Sequence, residues 1–89
     1  MQEYKELEQC AFLYYLKKKH PILSDTDLRH CLFVLLEYSL KETSRVLSIN
    51  INTVKTSRYR ARKKINIPKS ITLKKYLQNF NQNINRNYA

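Results

Sequence analysis

The chain has 89 residues, no glycine and a formal net charge of +10; that length makes one small domain with a modest core, and the missing glycine argues against phosphate-cradling loops and a turn-rich β fold. The charge is uneven: residues 1–42 carry six basic and seven acidic side chains, residues 43–89 eleven basic and no acidic one, which points to a polyanion as partner rather than to a generically cationic surface. Two cysteines, Cys10 and Cys31, are too few for a disulfide framework, no run approaches a membrane span, and the acidic start (Glu3, Glu6, Glu8) is no secretory signal, so a cytoplasmic protein with no membrane partner is expected.

The first predicted helix covers residues 2–19. Tyr4, Leu7, Ala11, Tyr14 and Tyr15 recur at helical spacing on one side. From Cys10 to Leu16 the segment is apolar nearly all round, the mark of a helix buried on more than one face. Lys17, Lys18 and Lys19 close it as a helix-end charge cluster that favours the macrodipole, and Pro21 stops it.

The second helix starts after Ser24. Ser24-Asp25-Thr26-Asp27 has the form of a capping box with Asp in place of Glu. Leu28, Cys31, Leu32, Leu35 and Leu36 make one apolar stripe through residue 37, and Phe33 and Val34 lie on another face. Two apolar faces require two neighbours, the first helix on one side and the later helices on the other.

Ser39-Leu40-Lys41-Glu42 is a full capping box opening a third, short helix over 40–47, with Leu40, Thr43, Val46 and Leu47 as its inward candidates. Asn50 is a good N-cap for a fourth helix over 51–65, because its side-chain oxygen can accept free amides of the next turn. A short helix, a turn of three residues and a longer basic helix form the helix-turn-helix pattern. Ile49 supplies the apolar plug of the turn. Ser48 stands where glycine is usual, so a left-handed backbone there costs more than it would for glycine.

The last helix is predicted from Leu73 to about Ile84, capped by Thr72 or Ser70, with Leu73, Tyr76, Leu77, Phe80 and Ile84 on one stripe. The domain is expected to span 1–80, and the asparagine-rich residues 81–89 are expected to form a disordered tail.

The fourth helix, "NTVKTSRYRARKK" from Asn52 to Lys64, holds six basic residues in thirteen. Advancing about 100° per residue from Val54 puts Val54, Ala61 and Ile65 in the core. Asn52, Lys55, Thr56, Tyr59 and Lys63 form an outward ridge. That ridge mixes an amide, long cations, a β-branched residue and an aromatic. Asn can pair with adenine edges, Lys with guanine acceptors, and the Thr methyl with the thymine methyl. A merely solvated face would interleave Glu with Lys. Arg60, Arg62 and Lys64 flank the ridge as candidate phosphate contacts, which give affinity and position without sequence information. Arg58 points toward the core, and Glu42 or Glu37 is its expected partner in a structural strut.

No catalytic constellation stands out, so no enzyme, no cofactor and no metal is expected. Cys10, His20, His30 and Cys31 lack the paired spacing of a zinc site, and the adjacent His30 and Cys31 point about 100° apart on a helix.

Residues 23–67 resemble the LuxR/GerE/NarL-type DNA-binding domain. Leu23-Ser24, Ser39, Lys41-Glu42, Leu47, Ile49, Asn50 and Thr53-Val54-Lys55-Thr56 match that family's order and spacing. Asp27, Thr43-Ser44, Ser48 and Ser57 depart from it, and the hydroxyls of Thr43 and Ser44 stand where the family packs apolar side chains. The likeness is greatest to a subgroup at the C-termini of large bacterial regulators, through His20-Pro21, Asp27-Leu28-Arg29, Cys31, Arg58-Tyr59-Arg60, Arg62-Lys63-Lys64-Ile65 and Leu73 with Leu77. The resemblance implies a four-helix bundle, here with an extra N-terminal helix, whose second motif helix enters the major groove. It places base contacts on Lys55, Thr56 and Tyr59 and phosphate contacts on Ser39, Lys41, Asn52, Thr53, Arg60 and Lys63. It also implies a dimer contact through Tyr76, Leu77 and Phe80, for which ordinary packing on the N-terminal helix is an equal alternative.

The leading expectation is sequence-specific binding of double-stranded DNA by a bacterial transcription regulator or its output domain, as a homodimer if the last helix pairs. The runner-up is a protein-interaction module that docks like the promoter-binding end of a sigma factor, its basic helix on an acidic partner, with contact to RNA polymerase. RNA binding is a weaker third.

Overall fold

The computed structural model describes the backbone of residues 2–88 and the side chains of residues 9–86. Five helices follow one another: α1 (Gln2–Lys19), α2 (Asp25–Leu35), α3 (Leu40–Leu47), α4 (Ile51–Ile65) and α5 (Leu73–Tyr88). There is no strand among the described residues, and the protein is all-α.

Helices α2 to α5 each begin where a polar side chain can satisfy free amides. At α2 the Ser24 amide donates to Asp27 Oδ2 at 2.8 Å and the Asp27 amide to Ser24 Oγ at 3.1 Å, so Asp closes the box in place of Glu. At α3 the same reciprocal pair joins Ser39 and Glu42, at 2.9 and 3.0 Å. At α4 the Asn52 amide donates to Asn50 Oδ1 at 2.7 Å. The Lys75 amide donates to Thr72 Oγ1 at 3.1 Å, which makes Thr72 rather than Ser70 the cap of α5. Such caps contribute about 1 kcal/mol each.

Three helix ends require a left-handed residue, and the chain has no glycine to supply one. Glu37 (φ 64°), Ser48 (φ 55°) and Asn66 (φ 64°) take that conformation instead. Asparagine tolerates it; glutamate and serine adopt it at some cost. The turn at Glu37 ends α2 at Leu35, two residues before the expected end.

The core is centred on α2, which packs against α4, α5 and α1, while α3 packs on α4 and α5 on α1. The expectation that α2 needs neighbours on two faces therefore matches the architecture. Phe12, Leu16, Leu23, Cys31, Val54, Ala61 and Leu77 are essentially fully buried. Burying side chains such as Leu16 and Leu77 contributes about 1.5–3 kcal/mol each.

Two expectations for inward faces need correction. In α1 the core-facing pair is Phe12 and Leu16, with Leu13 and Tyr15 half-buried, whereas Tyr14 is 59% exposed. A segment that is apolar all round has no single stripe to read, and the expected Tyr4 and Leu7 lie outside the described side chains. In α3 only Thr43 is buried; Val46 is 57% exposed and Leu40 and Leu47 are half-buried. The short helix touches the rest through one face of α4 and leaves its last turn open.

The stripe of α5, the candidate dimer contact, faces largely inward, with Leu77 buried and Tyr76 and Phe80 half-buried. Leu77 is fully buried, Phe80 meets Phe12 edge-to-face at 6.2 Å, and the Tyr76 hydroxyl shares a 2.7 Å hydrogen bond with His20 Nε2. Phe80 thus packs on Phe12 of α1 and Tyr76 on His20 just beyond its end, within the same chain. The helix also runs to Tyr88 with Ile84 buried, so residues 81–88 are helical where a disordered tail was expected. Ile84 extends the apolar stripe by one more turn and gives the asparagine-rich segment something to pack with.

The lysine run at the end of α1 is used locally. Lys17 Nζ donates to Pro21 O at 2.9 Å and Leu23 O at 2.5 Å, and Lys18 and Lys19 lie 5.6 Å from the ring centroids of Tyr14 and Phe80. No helix among the described residues is long and apolar enough to cross a membrane.

Candidate nucleic-acid interface

The interface is built on α4. Val54, Ala61 and Ile65 are buried, the three residues expected to hold this helix to the core. With that face down, Asn52, Lys55, Thr56, Tyr59 and Lys63 are all exposed. Tyr59 keeps 58% of its surface open, with Lys63 Nζ 5.5 Å from its ring centroid. Thr53, Arg60 and Lys41 are also exposed, and Ser39 is exposed with its hydroxyl committed to the α3 cap. The outward side chains of α4 thus share one surface with no carboxylate among them.

The turn that sets the angle of α4 is held by hydroxyls. Thr43 Oγ1 donates to Ser39 O at 2.8 Å, and the Ser44 hydroxyl donates to the carbonyl of Ile49 within the turn. Thr43 and Ser44 replace the apolar pair of the resembling family, yet Thr43 is fully buried because its polar atom is satisfied.

Arg58 depends on this substitution. Its Nη2 donates to Tyr38 O and to Thr43 Oγ1, both at 2.9 Å. The expected acid is not its partner: Glu42 is occupied by the α3 cap, and Glu37 pairs with Lys74 at 2.8 Å. Burial holds the guanidinium below its usual range. Arg58 therefore ties α4 to the start of α3 as a strut, through neutral oxygens. Sequence reasoning missed Tyr38 and Thr43 here; the buried hydroxyl at an otherwise apolar position was the available signal.

Two of the candidate phosphate contacts also bond within the chain. Arg62 donates through Nη1 to Ile71 O at 2.5 Å and through Nη2 to Pro68 O at 2.9 Å. Lys64 Nζ lies 2.5 Å from Asp27 Oδ2, joining the last turn of α4 to the first turn of α2. Burial pushes the Asp27 carboxyl up, but the Lys64 ammonium and the Ser24 cap outweigh it and leave it below its ordinary value. Both bonds share a cause: a long side chain on the flank of a helix reaches whichever acceptor the neighbouring segment offers.

His30, on α2, is 2% exposed and near enough to Arg58 of α4 to feel its charge. Its Nδ1 and Arg58 Nε are buried without a hydrogen-bond partner. Burial, and then the nearby Arg58 charge, push His30 below its ordinary range, while Asp27 pulls the other way. Cys31 is buried beside it, its thiol pushed up to about 12 by burial and then by Asp27. No group of three or more His, Cys, Asp or Glu side chains among the described residues could hold a metal ion.

Residues 32–65 match the family described as sigma-70, region 4. The match takes in the last four residues of α2, α3, the turn and the whole of α4. The match supports a helix-turn-helix of the DNA-binding, transcription-related kind in this unit, without specifying the LuxR/GerE/NarL type. No curated protein and no solved structure matches the chain.

Proposed function

We propose that this protein binds double-stranded DNA sequence-specifically, with α4 in the major groove, as a bacterial transcription regulator or the output domain of one. The single observation that carries the reading is the exposed, acid-free ridge of Asn52, Lys55, Thr56 and Tyr59 on a helix whose opposite face is locked into the core. Lys55 and Asn52 offer donors to base edges, the Thr56 methyl offers an apolar contact, and the Tyr59 ring and hydroxyl offer both. Ser39, Lys41, Thr53, Arg60 and Lys63 border this ridge and supply phosphate contacts that position it. The finer assignment to a LuxR-type output domain rests on the motif spacing of residues 23–67.

Three substitutions test the division of labour. Lys55→Ala and Tyr59→Ala each shift base preference and cost about 1–3 kcal/mol at the favoured base pair, whereas Arg60→Ala weakens all duplexes about equally. The reading fails if none of the three moves DNA binding away from the non-specific level.

A second reading is favoured by the match of residues 32–65 to a sigma-70 region. In it the unit docks in a sigma-like manner and contacts RNA polymerase, the basic helix meeting an acidic partner. Direct titration of the isolated protein with duplex DNA separates the two, because the docking reading requires no sequence preference from the chain alone.

A further inference from the structure

A cleft beyond the end of α4 is left over once the ridge is assigned. It encloses about 700 Å³ and is lined by Tyr59, Arg62, Lys63, Asn66, Pro68 and Lys69. A second groove, toward α2 and α5, shares Tyr59, Arg62 and Lys69 with it, so Lys69 stands beside Tyr59 between the two. Lys69 is exposed and makes no hydrogen bond or ion pair among the described residues. Its position is not left to a loose loop. The two Arg62 bonds, to Pro68 O and Ile71 O, clamp residues 68–71 against α4, and Ile67 is buried beneath them.

We propose that this cleft is a binding site for one backbone phosphate of the bound duplex, with Lys69 as its principal cation; this rests on the proposed insertion of α4 in the major groove. Lys63 and Lys69 face the cleft from two sides, and Asn66 adds an amide donor. Lys63 lies over the Tyr59 ring, which keeps its ammonium on the ridge side of the cleft. The site falls past the last base-reading residue, where a strand leaving the groove runs along its sugar-phosphate backbone, so it contributes affinity and register without base information. Arg62 acts here as a positioning residue: one donor from each Nη bonds a carbonyl, and through these bonds it presents Lys69.

The test compares the unaltered protein with Lys69→Gln, Lys69→Arg and Lys18→Gln, the last a loss of the same charge on α1. The affinity of each for one duplex is measured by fluorescence anisotropy over a range of KCl concentrations. One phosphate contact contributes about 0.9 to the slope of log affinity against log salt. The expected result is that Lys69→Gln lowers the slope by about 0.9, Lys69→Arg retains it, and Lys18→Gln leaves it unchanged. An unchanged slope in Lys69→Gln, with the unaltered protein still binding DNA, overturns the cleft alone. An equal loss in Lys18→Gln overturns it as a mere net-charge effect. Absence of DNA binding by the unaltered protein overturns the proposed function and the cleft together.

Discussion

Arg58→Met removes the guanidinium and keeps most of the apolar stem. Two hydrogen bonds of 2.9 Å disappear, and the Tyr38 carbonyl loses its side-chain donor in a half-buried setting. Bonds from a charged donor to neutral acceptors contribute about 1.5–3 kcal/mol each when buried. Both come from one nitrogen of a side chain that water still reaches, and ordering that side chain carries an entropic cost. A net loss of about 2 kcal/mol is the working figure, which lowers the melting temperature of a domain this size by on the order of 10 °C. Thr43→Val removes the acceptor and leaves the volume nearly unchanged. The two changes share one interaction, so the double variant loses less than the sum of the singles, by about 1 kcal/mol. Glu42→Ala, by contrast, removes a cap and adds to Arg58→Met without coupling. Urea denaturation followed by far-UV circular dichroism measures all of these. Additive losses for Arg58→Met and Thr43→Val, or coupling of Arg58 to Glu42, would refute the strut as described.

Other outcomes follow from the same geometry. Ser48→Gly relieves the left-handed turn at φ 55° and raises stability by about 0.5–1 kcal/mol, net of the freedom glycine adds to the unfolded chain; an unchanged denaturation midpoint would contradict that cost. His30 is held below the 6.5 it has when unfolded, so its contribution is complete above about pH 6.5 and is lost as pH falls toward the lower folded value, while the unfolded chain takes up the proton first. Stability measured between about pH 7 and about pH 5 therefore falls toward acid, and it falls less in His30→Leu; equal slopes for the two proteins would rule His30 out. Asp27, also lowered, contributes above about pH 3.8 and loses that contribution only below it, so the two windows are separate. A thiol reagent modifies Cys10, which is exposed, and spares Cys31 until the protein unfolds, because burial holds its thiol near 12; rapid labelling of both in the native state would contradict the packing of α2.

Helix starts were legible because local chemistry decides them. Ser24, Ser39 and Asn50 each announce a helix from within a four-residue window, and the observed caps use those atoms. The inward face of α4 was legible for a similar reason: Val54, Ala61 and Ile65 are the few apolar residues in a polar helix, so only one rotation buries them. The inward face of α1 was not, because Cys10 to Leu16 offers almost any rotation an apolar surface, and the choice of Phe12 and Leu16 is made by α2 and α5. Long side chains were the hardest. Arg58, Arg62 and Lys64 were all recognised as basic residues of the recognition helix, but their acceptors are the carbonyls of Tyr38, Pro68 and Ile71 and the carboxylate of Asp27, on segments that only the tertiary fold brings near. A helical wheel gives the direction in which such a side chain leaves the backbone. It does not say what waits there.

That distinction bears on function, since it separates the cations that hold α4 in place from those left free to meet DNA. Arg58, Arg62 and Lys64 fix the helix against α3, against residues 68–71 and against α2 respectively, and Lys55, Arg60 and Lys69 remain without an intramolecular partner among the described residues. On the proposed function, this rigidly held ridge reads a DNA sequence. Selection of duplexes from a random pool by the unaltered protein tests it most directly. One short motif is expected to be enriched, and Tyr59→Ala to weaken or alter it. Recovery of the starting pool with no enriched motif would contradict it.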